Sequence, residues 1–194
     1  MVQKEYIDAK EKALKSLSKA ISEEKTDKNI ISLLNILNNI EKCYTSSSCA
    51  GRTVLLEIPK IGDKKRAKFL GKWHGIVYLL DIKRASECAE EGLIWILAQS
   101  PVFHIGCEDI YIADKLLKTS IASGFKNSGL KSIGRKIILE ICSTERLDSP
   151  VGKDGILFCN DDYLQFLIDI SNEIFKVSKA KINRFEGNLL RNFV

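Results

Sequence analysis

Tyr44-Thr45-Ser46-Ser47-Ser48-Cys49-Ala50-Gly51-Arg52 places four aliphatic hydroxyls, a thiol, a glycine and a guanidinium in succession, with no bulky apolar side chain among the last seven residues. Such a run offers hydroxyls, backbone N–H groups and one permanent positive charge to a polar or anionic ligand. The same composition also suits a plain connector between a helix and a strand, and composition alone leaves both readings open. Three further stretches are too polar for a core: His104 with Cys107 to Asp109, Ser123 to Gly129, and Ser143 to Gly152. Each falls at the end of an expected strand or helix, where a scaffold positions binding groups. Brought together, the four would line one cleft with hydroxyls, amides, two histidines, Arg52 and Arg146.

His74 and His104 are the only histidines. Both stand beside apolar residues, as structural histidines do; the sharper reading is a general base or a hydrogen-bond donor to a polar ring. Trp73, Phe103 and Phe125 either stack on a base or fill a core. The six cysteines contain no CxxC pair, so a zinc ribbon or knuckle is not expected; a scattered set such as Cys49, His74, His104 and Cys107 is the one arrangement left open. Basic residues cluster at Lys64–Lys72, Lys115–Lys136 and Lys176–Arg191, and the middle interval holds no acidic side chain. These clusters are either solvated faces or a phosphate-binding surface. A GxGxxG turn, a GxxxxGK[ST] loop and a GxSxG elbow are all missing, which argues against a Rossmann dinucleotide site, a phosphate loop and an α/β-hydrolase.

The elements that must hold these residues follow from periodicity. Residues 3 to 24 read as a long amphipathic helix, and a second helix begins near Thr26 or Asp27 with the stripe Ile30, Leu33, Leu34, Leu37, Ile40. Strands are expected at Val54–Ile58, within Phe69–Leu80 (including His74), at Leu93–Leu97, at Val102–Ile105 and at Lys136–Cys142. Helices are expected from Lys83 to Glu91, from Glu108 to Ser123 and from Asn160 onward; Ser143 to Gly155 reads as irregular. Helices and strands do not alternate strictly, so the expected class is α+β, a mixed sheet covered by helices with long helices at both termini, and one domain over 1–194. The formal net charge of +5 admits a nucleic-acid partner. No apolar run has membrane-spanning length and the N-terminus lacks a signal-peptide core, so a cytoplasmic protein with reduced cysteines is expected.

Tyr44-Thr-Ser-Ser-Ser-Cys-Ala-Gly-Arg52 resembles the signature of the third wybutosine-synthesizing protein family, in its archaeal branch. Pro101-Val-Phe-His104 with Cys107, Ser123-Gly-Phe-Lys-Asn-Ser-Gly129, Ser143-Thr-Glu-Arg-Leu-Asp-Ser-Pro150 and the closing helix from Asp161 to Phe185 agree in order. The resemblance implies a non-Rossmann methyltransferase that uses S-adenosylmethionine to methylate N4 of a demethylwyosine-type base beside the anticodon of phenylalanine tRNA. It sets His104, with His74 second, as the base. Ser47, Ser48, Gly51, Arg52, Ser143, Thr144 and Arg146 would hold the cofactor. Lys126, Asn127, Ser128 and Lys131 would contact the tRNA. No metal is implied. Two other readings remain beside it: a non-catalytic RNA-binding module with serine-rich phosphate-gripping loops, and a hydrolase using Ser48 or Cys49.

Overall fold

Apolar residues at helical and at alternating spacing form two separate cores in the computed structural model, which describes residues 2–193. Contacts divide the chain into two compact units, one made of Met1–Ala50, Pro101–Thr144 and Ser178–Val194, the other of Gly51–Ser100 and Glu145–Val177.

The first unit contains a four-stranded sheet. Its strands are β1 (Cys43–Cys49), β5 (Val102–Cys107), β7 (Ile137–Cys142) and β6 (Gly129–Ile133), in that spatial order and antiparallel throughout. Alternation along β5 and β7 sends Phe103, Ile105, Leu139 and Ile141 into the core and leaves His104 and Glu140 on the other face. The core is completed by Leu33, Leu34 and Leu37 of α2 (Ile31–Asn39), by Ala113 and Leu116 of α4 (Ile110–Ala122), and by Ile182, Phe185 and Leu189. Phe125 meets both Phe103 and Phe185 edge-on, with ring centroids 6.2 and 5.6 Å apart. Phe103 and Phe125 are therefore packing residues, fully buried. The amphipathic helix α1 (Val2–Ser22) belongs to this unit; Tyr6 lies 5.5 Å from Tyr44, ring to ring.

The second unit contains a five-stranded antiparallel sheet ordered β3 (Lys68–Trp73), β2 (Arg52–Ile58), β4 (Leu93–Gln99), β8 (Leu147–Lys153) and β9 (Ile156–Leu157). Leu55, Ile94 and Ile96 pack with Ile82 of α3 (Leu79–Ser86) and with Leu164, Leu167 and Ile168 of the 33-residue helix α5 (Asp161–Phe193). Asn160 caps α5, its side-chain oxygen accepting the Tyr163 N–H at 3.0 Å.

The α+β class stands, and its sheet divides in two with every pairing antiparallel, which is not a Rossmann arrangement. Several local expectations are corrected. The serine stretch is mostly a strand: β1 runs to Cys49, because β5 supplies a full partner for its backbone. Leu147–Lys153 is also a strand, held by β4, and Pro150 is tolerated where the register shifts between Ile94 and Trp95. The strand expected to include His74 ends at Trp73, and His74 lies exposed in the following bend. The helix expected from Lys83 starts at Leu79, since the Asp81 carboxylate accepts the Tyr78 N–H at 3.0 Å and fixes an earlier first turn.

Candidate active site

The outward face of the first unit's sheet carries a continuous hydrogen-bonded chain. Ser47 Oγ lies 2.9 Å from His104 Nδ1, His104 Nε2 lies 2.9 Å from Glu140 Oε2, and Lys131 Nζ lies 2.7 Å from Glu140 Oε1. Strand register sets most of it: Ser47 pairs with His104 across β1–β5, and His104 with Glu140 across β5–β7. Two irregularities complete it. The register shifts at Ser46, which brings Ser47 rather than Ser46 opposite the histidine, and at Lys131, the unpaired residue between Leu130 and Ser132 on β6. Bulges re-aim side chains in this way beside functional groups. Ser46 is not idle: its hydroxyl donates to the His104 carbonyl at 3.1 Å.

Lys131 holds the Glu140 carboxyl below the usual carboxylate range, with the histidine contact adding to the effect against a partial desolvation penalty. Glu140 is then acceptor-only at neutral pH, so His104 Nε2 must carry a proton toward it. Nδ1 is left to accept from the Ser47 hydroxyl, or to donate once the ring gains a second proton. The result is a histidine of fixed tautomer and orientation with one nitrogen aimed at an exposed serine, the logic of an acid–histidine–hydroxyl relay. Glu140 was absent from the sequence-derived candidates. Its signal was a single acid in the otherwise apolar run Ile137–Cys142.

Other candidates of this unit differ in exposure and engagement. Thr144, Lys126 and Asn127 are exposed. Ser48 is half-buried on β1. Ser128 staples the loop after α4, its hydroxyl donating to the Phe125 carbonyl at 2.7 Å and accepting the Cys142 N–H at 3.2 Å. Ser143 is buried and accepts from Lys181 Nζ at 2.8 Å. Cys107 points away from His104 into the core; burial pushes its thiol, like that of Cys43, up to about 12. Cys43, Cys88, Cys107 and Cys159 form no disulfide.

The second unit holds Gly51, Arg52, His74 and Arg146. Gly51 has a φ of 91°, a left-handed conformation that favours glycine. Arg52 Nε donates to Gln99 Oε1 at 2.8 Å, and its guanidinium stands 5.7 Å from the centroid of the Phe69 ring. Arg146 is exposed and paired with Asp148.

A family model described as Methyltransferase TYW3 matches residues 8–191. The chain belongs to the TYW3 methyltransferase family. A curated relative from Pyrococcus horikoshii, named tRNA(Phe) 7-((3-amino-3-carboxypropyl)-4-demethylwyosine(37)-N(4))-methyltransferase 1, is 40% identical over 182 residues, covering 93% of each chain. A relative from Methanocaldococcus jannaschii, whose name lacks only the final numeral, is 39% identical over 186 residues, covering 95% of this chain and 96% of its own. Among solved structures, the PH1069 protein of Pyrococcus horikoshii superposes with a TM-score of 0.91 at 39% identity, covering 97% of this chain and 98% of that one. A hypothetical protein from Aeropyrum pernix reaches 0.75 at 25% identity, covering 85% and 98%. Membership makes this protein a methyltransferase and carries with it the family's general use of S-adenosylmethionine as methyl donor. Among the described residues no helix is long and apolar enough to cross a membrane.

Proposed function

We propose that this TYW3-family protein, acting as one domain over residues 1–194 in the cytoplasm, methylates N4 of a demethylwyosine-type base beside the anticodon of phenylalanine tRNA, with S-adenosylmethionine as donor. The names of its relatives support the substrate. The observation that carries the mechanism is the Ser47–His104–Glu140–Lys131 chain.

Each unit carries groups that suit the cofactor's chemistry. Arg52 spends Nε on Gln99, and its terminal nitrogens have no carboxylate partner among the described residues, so they match the cofactor's own carboxylate. Within the first unit, Ser47, Ser48 and Thr144 offer neutral donors and acceptors, while Ser143 is buried against Lys181; within the second, the Gly51 backbone stands beside Arg52, while Arg146 is paired with Asp148. S-adenosylmethionine, when bound, supplies an electrophilic methyl group on a sulfonium.

The chain's own residues handle the proton. A ring nitrogen that gains a methyl group must shed a proton, and Ser47 Oγ is the exposed end of the relay. The Ser47 hydroxyl takes that proton as it gives its own to His104 Nδ1, and Glu140 lies against the positive charge that develops on the ring. His74 is the second choice for the base. Lys126 and Asn127 would meet the tRNA, whereas Ser128 is engaged with Phe125 and Cys142 and Lys131 with Glu140. Much of the rate would come from holding nitrogen and methyl in line.

The test is methylation of tRNA taken from a strain lacking this protein, followed by mass analysis of the modified nucleoside. One methyl group gained on the tricyclic base is the expected result. In the same assay His104→Ala should lose turnover far more than cofactor binding; near-normal turnover would remove His104 from the mechanism.

A further inference from the structure

Between Lys60 and Lys72 the chain carries six cations and one carboxylate. This stretch is the β2–β3 hairpin of the second unit: the turn through Gly62, a short helical turn at Lys64–Arg66, and then β3. Arg66 is committed to Asp63 at 2.7 Å, and Lys68 leans toward Glu57 and Glu90 at 3.9 and 3.5 Å. Lys60, Lys64, Lys65 and Lys72 have no acidic partner among the described residues. Unpaired like charges crowded on a narrow turn repel one another, and a polyanion relieves that cost.

Charge is not the only feature. Phe69 is 46% exposed on the sheet face away from α3 and α5, and Lys72 Nζ stands 3.7 Å from its ring centroid. The pairings Val54–Lys72 and Leu56–Phe69 put both side chains on the same face as Arg52. Once the Lys72 amine swings from over the ring to a phosphate, that exposed ring is what single-stranded nucleic acid needs: a surface for one base to stack on, with cations beside it for the phosphates.

We propose that the β2–β3 hairpin is an RNA-docking surface, with Lys60, Lys64 and Lys65 gripping phosphates and Phe69 with Lys72 receiving an unpaired base. The inference rests on the tRNA methyltransferase reading and adds to it a contact surface formed by residues outside those assigned to cofactor, proton transfer or tRNA above. The amines contribute affinity independent of sequence. The ring selects unpaired nucleotides over a closed helix, because a paired base has no free face.

Two variants test the parts separately, with unmodified phenylalanine tRNA as the probe and fluorescence anisotropy over a salt series as the readout. Lys60→Ala/Lys64→Ala/Lys65→Ala should weaken binding tenfold or more near physiological salt, and reduce the slope of log affinity against log salt by about 2, from roughly 0.7 per single-strand phosphate contact. Phe69→Leu, which keeps an apolar side chain, should cost about tenfold while leaving the slope unchanged. S-adenosylmethionine binding by calorimetry and the melting temperature should be unaltered in the triple variant. Wild-type affinity and slope in that variant would overturn the proposal, even if the protein methylates tRNA normally. So would loss of binding to anionic phosphatidylserine vesicles with tRNA binding intact, which would assign the exposed Ile61 and its lysines to a lipid surface. A wild-type protein that neither binds nor methylates tRNA would remove the functional reading and this inference together.

Discussion

Glu140 is placed to act through His104 rather than on the substrate, and the two functions separate under mutation. Glu140→Gln keeps the shape and removes the charge, so the ring loses the partner that fixes its tautomer. Turnover should fall about ten- to a hundredfold, with cofactor affinity unchanged and a pH–rate profile altered on its acidic side. A purely structural role would lower stability and leave the profile's shape intact. Ser47→Ala should lower turnover and alter the same side of the profile if the hydroxyl relays the proton, whatever it does to cofactor affinity; a rise in cofactor Kd with turnover and profile unchanged would make Ser47 a binding group only. The carboxylate also shapes stability. Its pKa is depressed in the folded protein below an ordinary 4.5, chiefly by Lys131. The stabilisation is therefore complete above the unfolded value and lost as pH falls through the folded one. The melting temperature of the wild type should drop more steeply below about pH 4.5 than that of Glu140→Gln; parallel curves would show that the pair contributes nothing measurable.

At the scale of elements, most apolar strands and the caps of α4 and α5 were legible in the sequence, because each signal lies within a few residues; Asp27, expected at the start of the second helix, makes no cap and instead accepts the Ala50 N–H at 2.8 Å. Asp109 opens α4 as expected, its carboxylate accepting the Ile112 N–H at 2.8 Å, and Gly124 follows its end at a φ of 103°. The polar strands were not legible. Ser46 to Cys49 and Leu147 to Lys153 lack the alternation that marks a strand, and become strands only through partners at distant positions. The site shared that limit. His104 was picked out as one of two histidines, whereas its contact with Ser47 depends on a one-residue bulge that no local pattern announces. The buried hydroxyls of Ser123 and Ser143 were read as loop chemistry because their partners, Asn188 and Lys181, lie 65 and 38 residues away. Close packing on the strand beside the relay offers a test. A Cβ on Gly106 would stand 2.3 Å from the Tyr44 ring, which lies across that glycine. Gly106→Ala should cost about 1–3 kcal/mol as the ring is displaced, seen as a lower melting temperature; an unchanged melting curve would mean that Tyr44 moves aside freely.

For the whole molecule, the decisive feature is that neither unit is a continuous piece of chain. The first unit is assembled from three segments and the second from two, and α5 supplies residues up to Val177 to one and from Ser178 to the other. A cut through α5 should therefore damage a core whose strands lie far earlier in sequence. A chain ending at Val177 lacks Ile182, Phe185 and Leu189, which are 2%, 0% and 0% exposed, along with the edge-on contact of Phe185 with Phe125. Removing buried side chains of this size costs about 2–5 kcal/mol each, and three of them match or exceed the roughly 5–15 kcal/mol that holds a typical domain folded. The shortened chain should lose the dispersed amide signals of Phe103, Ile105, Leu139 and Ile141 in a heteronuclear NMR spectrum, and with them the register that places Ser47, His104 and Glu140 in line. Phe185→Ala, a milder change, should keep those signals and lower the melting temperature. Native shifts for β5 and β7 in the chain ending at Val177 would show that the sheet carrying the relay does not depend on the C-terminal half of α5.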